Sequence, residues 1–150
     1  MPTLASNRKA FYTYSIEDTF EAGLELLGHE VKSIRLGQVS LNGAYVSVHN
    51  GEAFLKNAYV GKYKAASNLE SYNENRDRRL LLHKNEILKM ANRLNEKGTT
   101  LIPLEIYMSK NRLKLKVGIA KGKKQFDKRE SIKKKELKRT IDKKLKTLIR

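Results

Sequence analysis

The sequence contains no cysteine. A disulfide framework, a zinc site with thiolate ligands and a catalytic thiol are therefore excluded. Long apolar runs are also missing, since none approaches the ~20 residues that a membrane-spanning helix needs, and no signal peptide is visible. We therefore expect a cytoplasmic protein that does not interact with membranes.

Sequence patterns typical of enzymes are also missing. The chain has no P-loop, no dinucleotide-binding glycine pattern, no zinc-protease pattern and no serine-hydrolase elbow. Glu17, Glu21 and Glu25 would stand in a row on one strand face, which could hold a cation, although a solvated row of charges is the ordinary interpretation. The three histidines are scattered and form no catalytic pattern: His29, His49 and His83. We expect no catalytic residue, no metal and no cofactor.

Acidic residues are scarce relative to basic ones. The chain has 32 Lys+Arg against 16 Asp+Glu, a net charge of +16 and a pI of about 10.0. The excess is concentrated at one end, because residues 121–150 hold 14 Lys/Arg and 4 Asp/Glu. Such charge attracts polyanions, of which nucleic acid is the abundant one and a membrane surface the alternative. A cationic body with a more cationic tail thus indicates nucleic-acid binding.

Alternation of apolar and polar residues predicts β strands. Residues 15–26 alternate almost throughout, and Gly23 within them suggests a bend or bulge. Residues 44–48, 102–108 and 113–119 alternate in the same way. Asn50 and Gly51 form the strongest two-residue hairpin signal.

Two segments have the pattern of helices. The first covers 29–36 and is ended by Gly37. The second lies near 83–97, and its predicted apolar stripe consists of Ile87, Leu88, Ala91 and Leu94. Residues 61–79 are predicted to be a long loop. About five or six short strands and one substantial helix predict a mainly β fold, a small closed antiparallel barrel resembling an oligonucleotide-binding fold.

The predicted domain covers 7–122, after a disordered N-terminus at 1–6 and before a basic tail at 123–150. In the tail, Asp127 and Glu130 are spaced as a helix N-cap and its capping-box partner, the third residue of the helix. A narrow apolar stripe follows at Leu137, Ile141, Leu145 and Leu148. Because repulsion between lysines weakens such a helix in water, we expect the tail to be disordered when free and helical only against a partner.

Several motifs, in order and with matching spacing, resemble the small protein B family of tmRNA-binding proteins. They are 20–23 (FEAG), 30–33 (EVKS), 80–82 (LLL), 118–124 (GIAKGKK) and 127–129 (DKR). The resemblance implies a barrel that docks on the tRNA-like domain of tmRNA. It also implies that the protein contacts the decoding centre and that its basic tail becomes helical in the empty mRNA channel of a stalled ribosome. The tmRNA then accepts the nascent peptide and supplies a reading frame that ends in a degradation tag.

The resemblance implies four RNA contacts in the body of the protein. Asn7 would bond a base edge or sugar, and Glu21 would accept hydrogen bonds from base N–H groups. Leu81 would pack on an unstacked base, and Lys114 would neutralise a phosphate. Taken alone, Asn7 could be a cap, Leu81 a core leucine and Lys114 a solvated lysine.

Further contacts are predicted from residue type and position. Lys32 and Arg35 lie three apart on one side of the first helix and suit a second phosphate contact, or simply form a solvated face. At the junction with the tail, Gly122 permits close backbone approach, and Lys123 and Lys124 are phosphate ligands by type. The predicted ribosome contacts follow: Phe126, Asp127, Lys128, Arg129 and Ile141. The Phe126 ring would stack on an RNA base or tuck back onto the barrel.

Together these features predict a non-catalytic, monomeric RNA-binding adaptor whose partners are tmRNA and the ribosome. A structural ribosomal or general RNA-binding protein is the alternative, since it would share the charge and the barrel. An enzyme ranks third, because only the row of glutamates could supply metal ligands.

Overall fold

The computed structural model describes residues 3–67 and 69–122. This part of the chain contains nine strands and three helices. In chain order they are β1 (Thr3–Ser6), α1 (Arg8–Thr13), β2 (Tyr14–Leu24), α2 (Gly28–Arg35), β3 (Val39–Ser40), β4 (Tyr45–His49), β5 (Glu52–Lys56), β6 (Tyr59–Val60), β7 (Arg78–Leu81), α3 (Lys84–Leu94), β8 (Thr99–Ser109) and β9 (Arg112–Gly122).

Six antiparallel strands form a closed ring. Their order is β8-β4-β5-β7-β2-β9, and β9 pairs back with β8. Strand β1 adds to β8, while β3 and β6 form a separate two-stranded sheet. The ring confirms the predicted mainly β fold and its closed antiparallel arrangement, although β2 pairs with β7 only at Gly23 and Leu24, so most of that edge of β2 has no strand partner among the described residues.

The hairpins and the long strands follow from local sequence. Asn50 and Gly51 both have positive φ, 51° and 76°, and join β4 to β5 as predicted. Lys110 and Asn111 also have positive φ and join β8 to β9. Strand β2, predicted from its alternation, pairs with β9 from its first residue almost to its last.

The core lies inside the ring and consists of alternate residues of the strands. On β9, Leu113, Leu115 and Val117 are buried, while Lys114 and Lys116 between them point outward and are half-buried. Each fully buried leucine or valine contributes roughly 1.5–3 kcal/mol to folding. The alternation therefore fixes the register of β9 and keeps its lysines on the outer face.

Two predictions about element boundaries and faces are wrong. Residues 1–6 were expected to be disordered, but Thr3–Ser6 forms β1, because its backbone pairs with β8 and Leu4 packs against the core. Leu88 was placed in the apolar stripe of α3 but is 61% exposed, and Met90 is buried instead. The buried face of α3 is narrower than the sequence suggests.

A buried carboxylate anchors the long loop before β7. The Glu30 side chain is fully buried, and it accepts hydrogen bonds from Arg76, from Arg78 Nε at 2.7 Å and from the Tyr72 hydroxyl at 2.9 Å. Burial would raise the pKa of Glu30, but the Arg76 hydrogen bond, the Leu27 backbone N–H and Arg78 outweigh it and lower the pKa to about 2. Glu30 is therefore ionised and holds α2, the loop and β7 together.

Candidate nucleic-acid interface

Strand pairing brings residues from distant parts of the sequence onto one outer surface. Gly23 of β2 lies opposite Leu81 of β7 on one side and opposite Lys114 of β9 on the other. Lys114 in turn lies opposite Tyr107 of β8. The neighbouring Leu80 is buried, so Leu81 points outward with the others.

Gly23 leaves room for the Leu81 side chain at the centre of this row. A Cβ at position 23 would lie 3.2 Å from the Leu81 Cβ, closer than side chains normally pack. Leu81 is 51% exposed, so it is not a core leucine. The glycine and the exposed leucine together form a shallow apolar surface on the outside of the ring.

Two open grooves meet at this surface. We call the first, of about 430 Å³, the Leu81 groove; its lining includes Glu21, Gly23, Arg79, Leu81, His83 and Lys114. The second, of about 310 Å³, is the Arg35 groove; its lining includes Arg35, Leu81, Arg112 and Lys114. Leu81 and Lys114 line both grooves, which therefore form one continuous surface.

The side chains along these grooves suit unpaired RNA. Lys114, Arg35 and Arg112 are cations that can neutralise phosphates, and Leu81 offers an apolar surface to an unstacked base. Glu21 is the one predicted contact in these grooves whose side chain, when ionised, can only accept hydrogen bonds. A surface of this kind combines backbone attraction with at least one position that can read a base edge.

The Glu21 carboxylate is held from the far side of β9. The Tyr107 hydroxyl on β8 donates a hydrogen bond to Glu21 Oε2 at 2.6 Å. Tyr107 is only 8% exposed, and its pKa is raised well above the usual value by burial, by its hydrogen bond to Glu21 and by the charges of Glu21 and Glu105. The phenol therefore stays protonated and continues to donate at physiological pH.

Three other predicted contacts lie away from the two grooves. Asn7 is 6% exposed; its Nδ2 donates to the Pro103 carbonyl at 3.0 Å, so the structure gives it a role in joining the start of α1 to β8. The Lys32 Nζ lies 5.4 Å from the centre of the Tyr63 ring. Gly122 pairs with Tyr14 at the N-terminal end of β2. Gly23 lies near the other end of this strand, roughly 30 Å away.

The predicted contacts beyond Gly122 lie outside the described residues. They are Lys123, Lys124, Phe126, Asp127, Lys128, Arg129 and Ile141.

The row of glutamates on β2 does not act as a unit. Glu17 pairs with Arg93 and with Lys121, and Glu25 lies 3.8 Å from Arg79. Within residues 3–67 and 69–122, no group of three His, Asp or Glu side chains is placed to hold a metal ion. No helix in the same ranges is long and apolar enough to cross a membrane.

The model of the SmpB protein family matches residues 4–147 of the chain. The chain belongs to the SmpB family. Among curated SmpB relatives, the SsrA-binding protein of Caldicellulosiruptor saccharolyticus is 48% identical over 147 residues, which cover 98% of this chain and 92% of the relative. The SsrA-binding protein of Persephonella marina is 46% identical over 147 residues, which cover 98% of this chain and 96% of the relative.

A solved SmpB chain has the same fold. It is described with tmRNA and the centre of the bacterial ribosome. The two chains superpose with a TM-score of 0.67 and 38% sequence identity, and the match covers 85% of this chain and 92% of the solved chain. The family resemblance of the sequence motifs is thereby confirmed.

Two residues of this SmpB surface were missed by the sequence analysis. Arg112 lines the Arg35 groove beside Lys114, and Tyr107 holds Glu21. The alternation of residues 102–108 offered a signal for Tyr107, since it puts Ile106 inside the ring and Tyr107 outside. Only the pairing of β2, β9 and β8 shows that Tyr107 reaches across β9 to β2.

Proposed function

We propose that this protein binds the tRNA-like domain of tmRNA through the Leu81 and Arg35 grooves and delivers tmRNA to stalled ribosomes for trans-translation. The observation that carries the proposal is the meeting of Glu21, Leu81 and Lys114 around Gly23, although they lie far apart in the sequence. The family supports the same function, since its curated relatives are SsrA-binding proteins and a solved member is described with tmRNA.

Each groove residue has a role that follows from its chemistry. Lys114 and Arg35 contact phosphates, and an unpaired base packs on the exposed Leu81 side chain. Glu21 accepts hydrogen bonds from a base edge, because an anion in an RNA interface is tolerable only where it meets donors. Asn7 supports this surface indirectly, since its bond to the Pro103 carbonyl fixes β8. Lys32 serves as a peripheral phosphate contact.

The basic segment 123–150 supplies the contact with the ribosome in this proposal. Lys123 and Lys124 at the junction contact tmRNA by charge, Lys128 and Arg129 contact the ribosome in the same way, and Phe126 stacks on a base. Ile141 belongs to the apolar stripe of the helix that this segment forms in the empty mRNA channel. The protein acts as a cytoplasmic monomer without catalysing a reaction, and the transfer chemistry belongs to the ribosome and tmRNA.

The proposal is tested with two matched pairs of substitutions in the full chain. Leu81→Ala with Lys114→Ala removes the apolar surface and one cation from the grooves. Leu88→Ala with Lys89→Ala removes the same residue types from the exposed side of α3, where neither lines a groove. In a gel-shift assay with the transcribed tRNA-like domain, the first pair should weaken binding at least tenfold, and the second should change it less than twofold.

Sequencing the RNA attached to the protein in cells separates this function from the alternative. One dominant tmRNA species supports the adaptor, whereas ribosomal RNA at fixed stoichiometry supports a structural ribosomal protein.

The role of the tail is tested by a chain that ends at Gln125. It should bind the tRNA-like domain like the full chain and fail to support tagging; loss of binding would contradict the division between grooves and tail.

A further inference from the structure

The bond between Tyr107 and Glu21 joins two strands that are not neighbours. In the sheet, β9 lies between β2 and β8, and its outward residues at this level are Lys114 and Lys116. Lys116 lies opposite Glu21, and Lys114 lies opposite Tyr107. The tyrosine therefore crosses β9 diagonally to reach Oε2 of Glu21 at 2.6 Å.

This geometry leaves one oxygen of Glu21 for a partner. Within residues 3–67 and 69–122, Glu21 accepts a hydrogen bond from one side chain, that of Tyr107, and this bond uses Oε2. Glu21 is exposed and lines the Leu81 groove. A carboxylate that is tethered by one oxygen presents the other in a fixed direction, so less side-chain entropy is lost when a base donor binds.

Tyr107 is suited to position a carboxylate, because its side chain is too buried to bind RNA itself. It is 92% shielded from solvent, so it offers little surface to RNA directly. An ionised carboxylate only accepts hydrogen bonds, which forces the phenol to donate.

We propose that Tyr107 is a positioning residue for RNA recognition: it orients the Glu21 carboxylate so that Oε1 reads an N–H donor on an unpaired base of the tRNA-like domain. The proposal rests on the proposed function, because it names how one contact of that surface is held. Tyr107 itself does not touch the RNA. Its contribution passes entirely through Glu21.

A double-mutant cycle on the full chain tests this dependence. Tyr107→Phe removes one buried oxygen atom and keeps the ring. It should weaken binding of the transcribed tRNA-like domain by roughly fivefold to tenfold when Glu21 is present, because the RNA must then order the freed Glu21 side chain itself. In a chain that also carries Glu21→Ala, the same change should alter binding by less than about twofold.

A second RNA and a second tyrosine separate positioning from a general loss of structure. Binding to a random-sequence single-stranded RNA of equal length should be unchanged by Tyr107→Phe, because its phosphate contacts do not use Glu21. Tyr45→Phe is the matched control; Tyr45 is exposed on β4 and lines neither groove, so binding of either RNA should be unchanged. Thermal unfolding of each variant checks that all are folded at the assay temperature.

Each outcome bears on the proposal. A loss that requires Glu21 and is confined to the tRNA-like domain supports it. Equal losses with and without Glu21, or no loss at all, overturn the positioning role even if Leu81→Ala with Lys114→Ala still weakens binding. If that groove pair has no effect either, the proposed function of the grooves fails, and the role of Tyr107 fails with it.

Discussion

Glu30 and Glu21 show two opposite treatments of a carboxylate in one small domain. Glu30 is fully buried, and both of its oxygens accept hydrogen bonds, from Arg76, Arg78 and Tyr72 among others. Glu21 is exposed, and a single tyrosine holds one of its oxygens.

The difference follows from where each charge must be satisfied. A buried ion loses its water when the chain folds, so the protein itself has to supply every partner. A surface ion keeps its water until a ligand displaces it, so the protein can leave an oxygen for that ligand. Full pairing at Glu30 indicates an architectural role, whereas the recognition role that we propose for Glu21 requires an oxygen left for a ligand. Substitutions at the two carboxylates and their surroundings should therefore differ in what they change.

The Glu30→Ala substitution should cause the largest loss of stability. It leaves Arg78 buried with its charge uncompensated, which costs roughly 3–5 kcal/mol of unfolding free energy. Glu25→Ala is the control, since the exposed pair that Glu25 forms with Arg79 should contribute less than about 1 kcal/mol. Denaturant unfolding measures both, and similar losses for the two variants would show that burial does not set the value of these pairs.

Acid should weaken the Glu30 cluster in a defined pH window. The pKa of Glu30 is about 2 in the folded protein against an ordinary value of 4.5. Its contribution is therefore complete above pH 4.5 and is lost as the pH falls from 4.5 to 2, by about 3 kcal/mol in all. Unfolding free energy measured across this window should fall less steeply in Glu30→Gln than in the unchanged protein. Parallel curves would argue against an ionised buried Glu30.

The Glu21→Ala substitution should weaken binding and cost less stability than Glu30→Ala. It removes a negative charge from a protein that meets a polyanion, so electrostatics alone predicts tighter binding. A base-edge acceptor predicts the reverse, a loss of roughly 1–3 kcal/mol in affinity for the tRNA-like domain. The free energy of unfolding should fall by roughly 1 kcal/mol, because the buried Tyr107 hydroxyl loses its acceptor; this is less than the loss expected for Glu30→Ala. A folded variant that binds more tightly would remove Glu21 from the recognition surface.

The Lys114→Ala substitution should produce the smallest effect, which is visible in the salt dependence. Losing one phosphate contact lowers the slope of log K against log salt by about 1. Lys89→Ala removes an equal charge from α3, outside both grooves, and should leave the slope unchanged. Equal slopes for the two variants would mean that Lys114 contributes only general charge.

Much of the fold could be predicted because the alternation in the sequence is regular. The strand from Tyr14 to Leu24 and the hairpin at Asn50 follow from local patterns. The helix α1 could not be recognised, because it has only six residues and buries only Ala10, too few for a helical period to show. Leu88 was wrongly predicted to be buried. Its neighbour Ile87 faces the core, and the buried face of α3 is too narrow to include position 88 as well.

The candidate site was predicted in part, and through family resemblance rather than through periodicity. Leu81 and Lys114 lie in unremarkable local sequence, and only the pairing of β7, β2 and β9 shows that they flank Gly23. Asn7 has the residue type of an RNA contact, but the structure buries it against Pro103. Residue type therefore gave candidates, and the long-range pairing decided which of them share a surface.

The pairing of β2 with β9 has a consequence for how the protein is made. Synthesis proceeds from the N-terminus, and the partner of β2 is completed only at Gly122, about a hundred residues later. Until then β2 has an unpaired edge eleven residues long, which a protease or another chain can engage. A ribosome that halts before residue 114 thus yields a fragment without Lys114 and without a closed ring. Because such fragments lack the completed groove surface, we expect them to bind tmRNA more weakly than finished molecules do.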